Sequence, residues 1–332
     1  MWNLLGKMQF ITQRDFPLMY TFCRWALLLG MLTAPLSALA GQRVFTPETV
    51  VNPSAFYPEG PQRIDRGLLV AEMPKHRAVL INDGGRTETV WTQDGCGPTS
   101  IKRIPTGGYW ILCHLGHYVA RLDDNFRTTR VFTTTVAGRR IARPNDGSVD
   151  ATGNLYFSSP SPFSLDAPPE GFLTFLNEKT GEATDLAGGL RYSNGVLVQE
   201  AQRRLLVSEH LNRRIIALGL PSPGIVRAPQ VFFDFRAAPS VTNPYPLSGP
   251  DGIAAFADGE ILVADYGNGR LLHLSGDGTF IQAIAVQYPY VTNMAIMPDQ
   301  RSMFVLMTES NTTPPLHGIV QRFTISEDKP AP

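Results

Sequence analysis

Short apolar runs, each closed by a turn rich in Gly, Asp or Asn, follow one another along most of the chain. In residues 249–271, the apolar run 253–256 is followed by the turn Ala257-Asp258-Gly259 and by a second run, 261–264. Asp-Gly supplies the positive φ angles that a tight hairpin turn needs, and this stretch lacks the 3.6-residue apolar period of a helix. The pattern therefore predicts antiparallel β-hairpins.

The same hairpin recurs along the chain. Superposing the second strand of each hairpin gives copies that begin near Gly67, Gly108, Gly153, Arg204, Gly259 and Ser302. Their spacing of about 40–55 residues is typical of one repeated supersecondary unit. Third and fourth strand candidates follow in turn, so the sequence predicts an all-β fold, a six-bladed β-propeller with four-stranded blades. Residues 43–51 resemble an outer strand without a preceding blade, and we expect this N-terminal strand to close the last blade.

Composition agrees with a meander of short strands. The 332-residue chain has 30 Gly and 27 Pro, which favour turns. Its 29 basic and 29 acidic residues give a net charge of zero, which argues against a nucleic-acid partner or an anionic membrane surface.

The first 40 residues predict an N-terminal extension and a secretory signal peptide. Arg24 precedes an apolar run, residues 25–34, and the small-residue site Ala38-Leu39-Ala40 follows. An uncleaved anchor is the alternative, but the apolar run is too short to span a bilayer. We therefore expect a propeller domain of residues 41–332, located in the periplasm or secreted, with no stable membrane insertion after cleavage. Either Met1 or Met19 can be the start of translation.

Two of the three cysteines, Cys96 and Cys113, fall in the propeller region. An exported protein can join such a pair in a disulfide. A hairpin centred on Gly107 would instead place Cys113 opposite residue 101, out of reach unless the Cys96 loop folds back. The sequence leaves both arrangements open.

The candidate chemistry lies where the first strand of each blade begins. The first strands of all blades line the channel of a propeller and run in the same direction. Their first residues therefore lie together at one mouth of the channel. The residues at this position are Glu59, Thr99, Asn145-Asp146, Asn194, Asp251 and Asn293. Carboxylate and amide oxygens are the ligands that Ca²⁺ and other hard divalent cations prefer. The alternative is that Asx-Gly pairs ahead of strands serve only as turn formers.

A second set of polar residues ends the second strand of each blade at the same mouth. It comprises Glu72, His114, Ser158-Ser159, Glu209-His210, Asp265-Tyr266 and Thr308-Glu309. We expect these residues to form an outer wall around the metal, with His114 and His210 as candidate proton carriers. Arg143 would point a guanidinium toward the pocket. The alternative is that all of these residues are ordinary polar groups on a surface.

Four short motifs resemble those of one protein family and occur in the same order as in that family. They are PEGP at residues 58–61, RPNDG at 143–147, SNGV at 193–196 and GPDGI at 249–253. They are similar to those of the regucalcin/gluconolactonase (senescence marker protein) family, six-bladed propellers that hydrolyse sugar lactones with a divalent metal in the channel. The resemblance implies one divalent ion, Ca²⁺ first and Zn²⁺, Mn²⁺ or Mg²⁺ as alternatives.

The same resemblance assigns roles to five residues. It implies Glu59, Asn194 and Asp251 as metal ligands, Asp251 also as the catalytic acid/base, and Arg143 and Asn145 as substrate-binding residues. The segment 158–170 departs from regucalcin, which has a substrate-binding glutamate thereabouts with which Glu170 cannot be equated.

Two functions follow from these patterns. The first is a metal-dependent lactonase that opens a small sugar lactone or a related ester. The second is a non-catalytic propeller that binds a ligand or a protein partner at the channel mouth. The set of acidic and amide residues favours the enzyme, because a binding module has no need for a hard-metal site with an open position.

Overall fold

The computed structural model describes residues 42–327 and confirms the predicted all-β, six-bladed propeller. The expected extension and signal peptide of residues 1–40 lie outside the described residues, as does the expected mature terminus Gly41. The described part forms six four-stranded antiparallel sheets, and each sheet is one blade.

The strands follow the blades in chain order, apart from the first strand. Blade 1 contains β2 (Pro58–Ile64), β3 (Gly67–Glu72), β4 (Arg77–Ile81) and β5 (Thr87–Thr92); blade 2 contains β6 (Pro98–Arg103), β7 (Tyr109–Cys113), β8 (Tyr118–Leu122) and β9 (Thr128–Phe132); blade 3 contains β10 (Gly147–Val149), β11 (Leu155–Ser159), β12 (Gly171–Leu176) and β13 (Ala183–Leu190). Blade 4 contains β14 (Ser193–Gln199), β15 (Arg204–Glu209), β16 (Arg214–Gly219) and β17 (Gln230–Asp234); blade 5 contains β18 (Gly249–Ala255), β19 (Ile261–Tyr266), β20 (Arg270–Leu274) and β21 (Phe280–Ala285); blade 6 contains β22 (Tyr290–Ile296), β23 (Ser302–Thr308), β24 (His317–Glu327) and β1 (Arg43–Phe56).

The ring closes as predicted. The N-terminal strand β1 pairs antiparallel with β24, from Arg43 opposite Glu327 to Phe56 opposite His317. It is longer than the predicted segment, because it continues to Phe56 and leads directly into the first strand of blade 1. The first strands of neighbouring blades contact each other around the channel, and β2 contacts β22 to complete the circle.

Apolar side chains pack between blades in six separate clusters, one at each blade-to-blade interface. Between blades 2 and 3, for example, Trp110 and Phe157 are fully buried and pack in one cluster. This follows from sheet geometry, because both faces of each blade are covered and successive side chains point to opposite faces. The core is therefore a ring of interfaces around a polar channel.

The helical segments of the described chain are three single 3₁₀ turns, Met73–Lys75, His210–Asn212 and Phe235–Ala237. Within residues 42–327, none of the helices has the length and apolar composition that crossing a membrane requires.

Cys96 and Cys113 form a disulfide, with their Cα atoms 4.5 Å apart. The expected register was wrong: Ile101 pairs with Ile111, and Cys113 pairs with Pro98. The hairpin turns earlier than Gly107, and a bulge at Thr99 shifts the pairing by one further residue. The loop before β6 folds back far enough to bring Cys96 to Cys113.

Removing the closing strand should destabilise the ring. A chain that begins at residue 53 keeps only the pairs of Ala55 and Phe56 with β24. It leaves β24 unpaired from Val320 to Glu327 and loses the packing of Phe45 and Val50 against the apolar cluster between blades 5 and 6. We expect its melting temperature to fall by at least about 5 °C, since each kcal/mol corresponds to about 2–4 °C in a domain of this size. A chain that begins at residue 41 is the control. Equal melting temperatures for the two chains would contradict the closing role of β1.

Breaking the disulfide should also destabilise the fold. The bond joins residues 17 apart in sequence, and cross-linking a loop of about this length stabilises by roughly 3 kcal/mol in the chain-entropy model. We expect Cys96→Ser with Cys113→Ser to melt at a lower temperature than the oxidised protein. A reducing agent should lower the melting temperature of the unmodified protein only. Two free thiols in the unmodified, non-reduced protein would show that the bond does not form.

Candidate functional site

The three predicted metal ligands lie at irregularities of the inner strands. The pairing shifts lie between Glu59 and Gln62 in β2, between Ser193 and Val196 in β14, and between Pro250 and Ile253 in β18. A β-bulge re-aims a side chain out of the regular alternation of a strand. Glu59, Asn194 and Asp251 thereby all face one pocket at the channel mouth.

The glycine that follows each of these residues allows the inner strands to approach one another closely. A Cβ at Gly195 would collide with the backbone carbonyl of Asp251, and one at Gly252 would collide with the side chain of Asn293. A Cβ at Gly60 would likewise collide with the backbone of Ser100 in the next blade. The motifs are therefore packing motifs of the channel wall, rather than the simple turn formers of the alternative interpretation.

A left-handed residue precedes several of the inner strands. Tyr57, Arg143 and Tyr192 have φ angles of 44°, 48° and 57°, and each lies two positions before a mouth residue. Non-glycine residues rarely adopt this region, and such backbone strain is concentrated at functional sites. The conformation turns the chain abruptly into the channel.

The mouth pocket has a volume of about 150 Å³. Its lining consists of polar groups of the inner strands below and aromatic side chains above: Tyr57, Glu59, Met73, Thr99, His114, Asn145, Phe163, Tyr192, Asn194, His210, Asp251, Tyr266 and Asn311. The structure thus brings together four of the five predicted site residues, Glu59, Asn145, Asn194 and Asp251. Arg143 lines a neighbouring pocket instead.

The two carboxylates of the pocket are buried without a cationic partner that neutralises them. Glu59 and Asp251 are 7% and 5% exposed. Burial raises the pKa of Glu59 well above its ordinary value, and the charges of Asp251 and Asp146 raise it further, while Lys102 lowers it. Burial and the Asp146 charge likewise raise the pKa of Asp251, while the Asn194 side chain lowers it. Two carboxyl groups in this position favour either a shared proton or a bound cation.

Asn194 provides an independent indication of a cation. Its Oδ1 atom is buried and has no hydrogen-bond partner, which is costly for a polar atom. Within residues 42–327, no three His, Cys, Asp or Glu side chains cluster as metal ligands, so the donor set here is two carboxylates and this amide oxygen. Such all-oxygen donors fit a hard divalent cation with open positions for water or substrate.

A polar layer lies below the pocket, deeper in the channel. Asp146 accepts hydrogen bonds from Ser100 Oγ at 3.0 Å and Asn293 Nδ2 at 3.2 Å. Lys102 Nζ lies 3.4 Å from Asp146 Oδ1. Asp146 and Asn293, which the sequence placed in the ring of candidate ligands, therefore belong to this lower layer and not to the mouth pocket.

Three acidic residues of the expected outer wall have structural roles. Each of them forms an ion pair with the arginine that begins the third strand of the same blade. The pairs are Glu72–Arg77 at 2.6 Å, Glu209–Arg214 at 2.6 Å and Asp265–Arg270 at 2.7 Å. In blade 2 the same strand end is occupied by the disulfide cysteine Cys113. These carboxylates stabilise the blades, as the alternative interpretation holds, and none of them lines the mouth pocket.

The two candidate histidines differ in their surroundings. The ring nitrogens of His210 lie 3.0 Å from the Pro250 carbonyl oxygen and 2.8 Å from that of Leu247, so the ring fixes the segment before Asp251. The Nδ1 atom of His114 is buried and has no partner. Burial lowers the pKa of His114 to about 4, with a smaller contribution from Arg143, so this ring is neutral at physiological pH.

Of the tyrosine and phenylalanine rings that line the pocket, sequence reasoning named only Tyr266, in the expected outer wall. The hydroxyl groups of Tyr57 and Tyr266 lie 2.8 Å apart, and the ring of Phe163 lies 4.7 Å from that of Tyr192. Tyr57 and Tyr192 each stand two positions before a predicted ligand, so comparing this position across the repeats could have found them. Phe163 and Asn311 lie on long loops outside the repeat, where no sequence signal marks them.

Comparison with known proteins agrees with this geometry. The model of the SMP-30/Gluconolactonase/LRE-like region matches residues 57–309. A gluconolactonase from Xanthomonas campestris has a similar structure, with a TM-score of 0.67 and 16% identity over 86% of this chain and 98% of that chain. The calcium-binding protein regucalcin from Agrobacterium tumefaciens has a TM-score of 0.69 and 17% identity over 85% of this chain and 95% of that one. At these identities the structures show a shared fold.

A sequence relative, lactonase drp35 of Staphylococcus epidermidis, is 26% identical over 189 residues, 53% of this chain. The matched part spans 52% of that relative, about half of its length. The family match begins at Tyr57, two positions before Glu59, and covers blades 1 to 5 and the first two strands of blade 6. The chain therefore belongs to the SMP-30/gluconolactonase/LRE-like family.

Proposed function

We propose that this protein is a lactonase that opens a small sugar lactone or a related ester with one divalent cation, Ca²⁺ first, at the channel mouth. One observation supports the proposal most strongly: two buried, unneutralised carboxylates share a small pocket with an unpartnered amide oxygen. The family and the names of its relatives, gluconolactonase and lactonase, agree with it.

Glu59, Asn194 and Asp251 would hold the cation. When bound, it would supply an electrophile that polarises the lactone carbonyl and stabilises the oxyanion. A pocket of about 150 Å³ is small beside the roughly 300–1,000 Å³ clefts that hold drug-sized ligands, and it suits a single sugar ring.

Asp251 is the residue that we assign to proton transfer. Its carboxylate would take a proton from the attacking water as the new carbon–oxygen bond forms at the carbonyl. When the ring carbon–oxygen bond breaks, the same carboxyl group would return the proton to the leaving hydroxyl. Burial that raises the pKa of Asp251 makes it a stronger base than an exposed aspartate and a usable acid in the second step.

The remaining lining residues would orient the ring. Asn145 offers an amide to a ring hydroxyl, and its backbone is held by Thr99 Oγ1, which donates to the Asn145 carbonyl oxygen at 2.8 Å. The neutral His114 offers an unpaired acceptor atom in the same pocket. Phe163 and Tyr192 would cover the sugar and exclude water from the reacting carbonyl.

We also propose that the protein acts in the periplasm or outside the cell. The signal-like pattern of residues 24–40 supports export. The disulfide between Cys96 and Cys113 supports it independently, since such bonds persist in oxidising compartments.

Replacing the proposed base should abolish turnover. We expect Asp251→Asn to keep the fold and to lower kcat for glucono-δ-lactone by at least about 100-fold, the lower range for positioned proton transfer. Glu59→Gln should weaken cation affinity, with activity partly restored by excess cation. Turnover is measured by acid release in a pH-indicator assay with Ca²⁺, Zn²⁺, Mn²⁺ or Mg²⁺.

Asp277→Asn is the matched control for this experiment, because Asp277 is exposed in the turn after β20 at the opposite face. Its activity should be unchanged. If Asp251→Asn turns over at the rate of the unmodified protein, the assignment of the base is wrong. If the unmodified protein opens no lactone or ester with any of these cations, the proposed lactonase function is wrong and the non-catalytic binding function is favoured.

The buried carboxylates also predict an unusual dependence of stability on pH. Because the native state raises the pKa of Glu59 and Asp251 above the ordinary value of about 4, the native state holds protons that the unfolded chain releases. Without divalent cations, this contribution to stability is complete below pH 4 and is lost as the pH rises through the raised pKa values. Glu59→Gln should therefore melt a few degrees higher than the unmodified protein at pH 8 in EDTA, with a smaller difference at pH 5.

Added Ca²⁺ should reverse this order, because it stabilises the unmodified protein more than Glu59→Gln. Glu209→Gln is the control: Glu209 is equally buried but accepts hydrogen bonds from Arg214 at 2.6 Å and from the Arg191 backbone at 3.0 Å. That variant should be destabilised at both pH values. A lower melting temperature of Glu59→Gln at pH 8 in EDTA would contradict an unneutralised site.

A further inference from the structure

A second pocket lies beside the mouth pocket on the same face of the propeller. It has a volume of about 270 Å³ and is formed by the loop between β9 and β10 and the loop between β11 and β12. The first loop contributes Arg139, Arg140 and Arg143, the second loop contributes Glu170, and Ser159 is the last residue of β11. Neither the family motifs nor the proposed mechanism uses Arg139, Arg140 or Ser159.

The pocket carries an excess of positive charge. Arg139 is neutralised by Asp185, with its Nε atom 2.7 Å from Asp185 Oδ2, and its guanidinium stacks over the ring of Phe172 at 4.1 Å. Arg140 and Arg143 make no ion pair with any residue in the range 42–327. Glu170 contributes one carboxylate, but its side chain is exposed at the rim. The exposed Arg140 and the partly buried Arg143 thus line a pocket that contains one acid, which is also exposed.

Ser159 gives an independent indication of a ligand. The residue is 2% exposed, its Oγ atom has no hydrogen-bond partner, and it lines this pocket. A buried hydroxyl without a hydrogen-bond partner is unfavourable. Ser161 on the loop that follows β11 shows the contrast, because its Oγ atom accepts a hydrogen bond from the Tyr192 backbone at 2.9 Å. An oxyanion beside the arginines would satisfy the Ser159 hydroxyl.

The two pockets are lined by neighbouring residues of the same chain segments. A single short segment separates them, with Ser159 and Ser161 lining the second pocket and Phe163 lining the mouth pocket. Arg143 also acts electrostatically on His114 and Tyr192, which both line the mouth pocket. A substituent extending from a bound sugar ring past Arg143 would therefore reach Arg140 and Ser159.

We infer that the second pocket is a subsite for an oxyanion group, a carboxylate or a phosphate, carried by the substrate at a distance from the lactone carbonyl. The substrate class is then an anionic sugar lactone. This inference rests on the proposed lactonase function. Guanidinium groups match the geometry of both oxyanions, and the serine hydroxyl donates one further hydrogen bond.

Three lactones test the inference. The unmodified protein should hydrolyse an aldaric acid monolactone, which carries a carboxylate, or 6-phosphogluconolactone with a kcat/KM at least about tenfold above that for the neutral glucono-δ-lactone at low salt. The anionic lactone with the larger kcat/KM relative to glucono-δ-lactone shows whether the subsite prefers a carboxylate or a phosphate. The preference should decrease with ionic strength, because the Debye length falls from about 30 Å at 0.01 M to about 10 Å at 0.1 M.

Two variants locate the preference. Arg140→Gln and Ser159→Ala should lose most of it through a raised KM for the anionic lactone, with unchanged kcat/KM for glucono-δ-lactone. Arg127→Gln is the control, since Arg127 is an exposed arginine in the turn between β8 and β9 on the opposite face. Equal kcat/KM for neutral and anionic lactones, or a preference that survives Arg140→Gln, would overturn the subsite while leaving the lactonase function intact.

A binding measurement separates the subsite from the enzyme. Glucarate and 6-phosphogluconate, the open-chain acids, are titrated into the unmodified protein and into Arg140→Gln by calorimetry, with sorbitol as the neutral reference. Binding of either acid that Arg140→Gln loses supports the subsite even if no lactone is hydrolysed. Failure of both acids to bind, or equal binding to Arg140→Gln, contradicts it.

Discussion

The close approach of the six inner strands at the channel mouth is the constraint on which the candidate site depends. Gly195 and Gly252 let one strand lie directly against the next, where a Cβ atom would collide with Asp251 or Asn293. Side-chain hydroxyl groups form hydrogen bonds between neighbouring blades. Ser208 Oγ donates to the carbonyl oxygen of Asp251 at 2.6 Å, and Thr292 Oγ1 donates to the carbonyl oxygen of Pro58 at 2.6 Å. The backbone that carries the site is thus fixed by inter-blade packing, which is why the closing strand β1 matters far from the pocket.

Buried carboxylates have two different roles in this fold, and the presence or absence of an arginine partner distinguishes them. Glu72, Glu209 and Asp265 are as deeply buried as the mouth carboxylates, but each has an arginine at the start of the next strand. Glu59 and Asp251 have no such partner and repel each other. Burying an unpaired charge is unfavourable, so the fold accepts a stability cost at the mouth, and a bound cation would remove it.

The substrate-facing side of the molecule comes from loops as well as from the repeat. Phe163 is carried by the connection between β11 and β12, and Asn311 by that between β23 and β24. Both loops line the mouth pocket, and the connection between β11 and β12, together with the connection before β10, forms the arginine-lined pocket beside it. The inner strands thus hold the proposed ligands, and the longer connections line the entrance to the site.

The sequence by itself determined the architecture, because hairpin turns and apolar runs recur in phase. It also determined which residues open the inner strands, so Glu59, Asn145, Asn194 and Asp251 could be placed at one mouth. It did not separate Asp146 and Asn293 into the lower layer. Asp146 directly follows the mouth residue Asn145 in the sequence, and Asn293 lies at a bulge of β22, which changes the direction of its side chain without changing its place in the repeat. Only the tertiary structure brought Cys96 to Cys113, paired the outer acids with arginines and assembled the aromatic wall, because these contacts depend on register shifts and loop paths that local sequence does not encode.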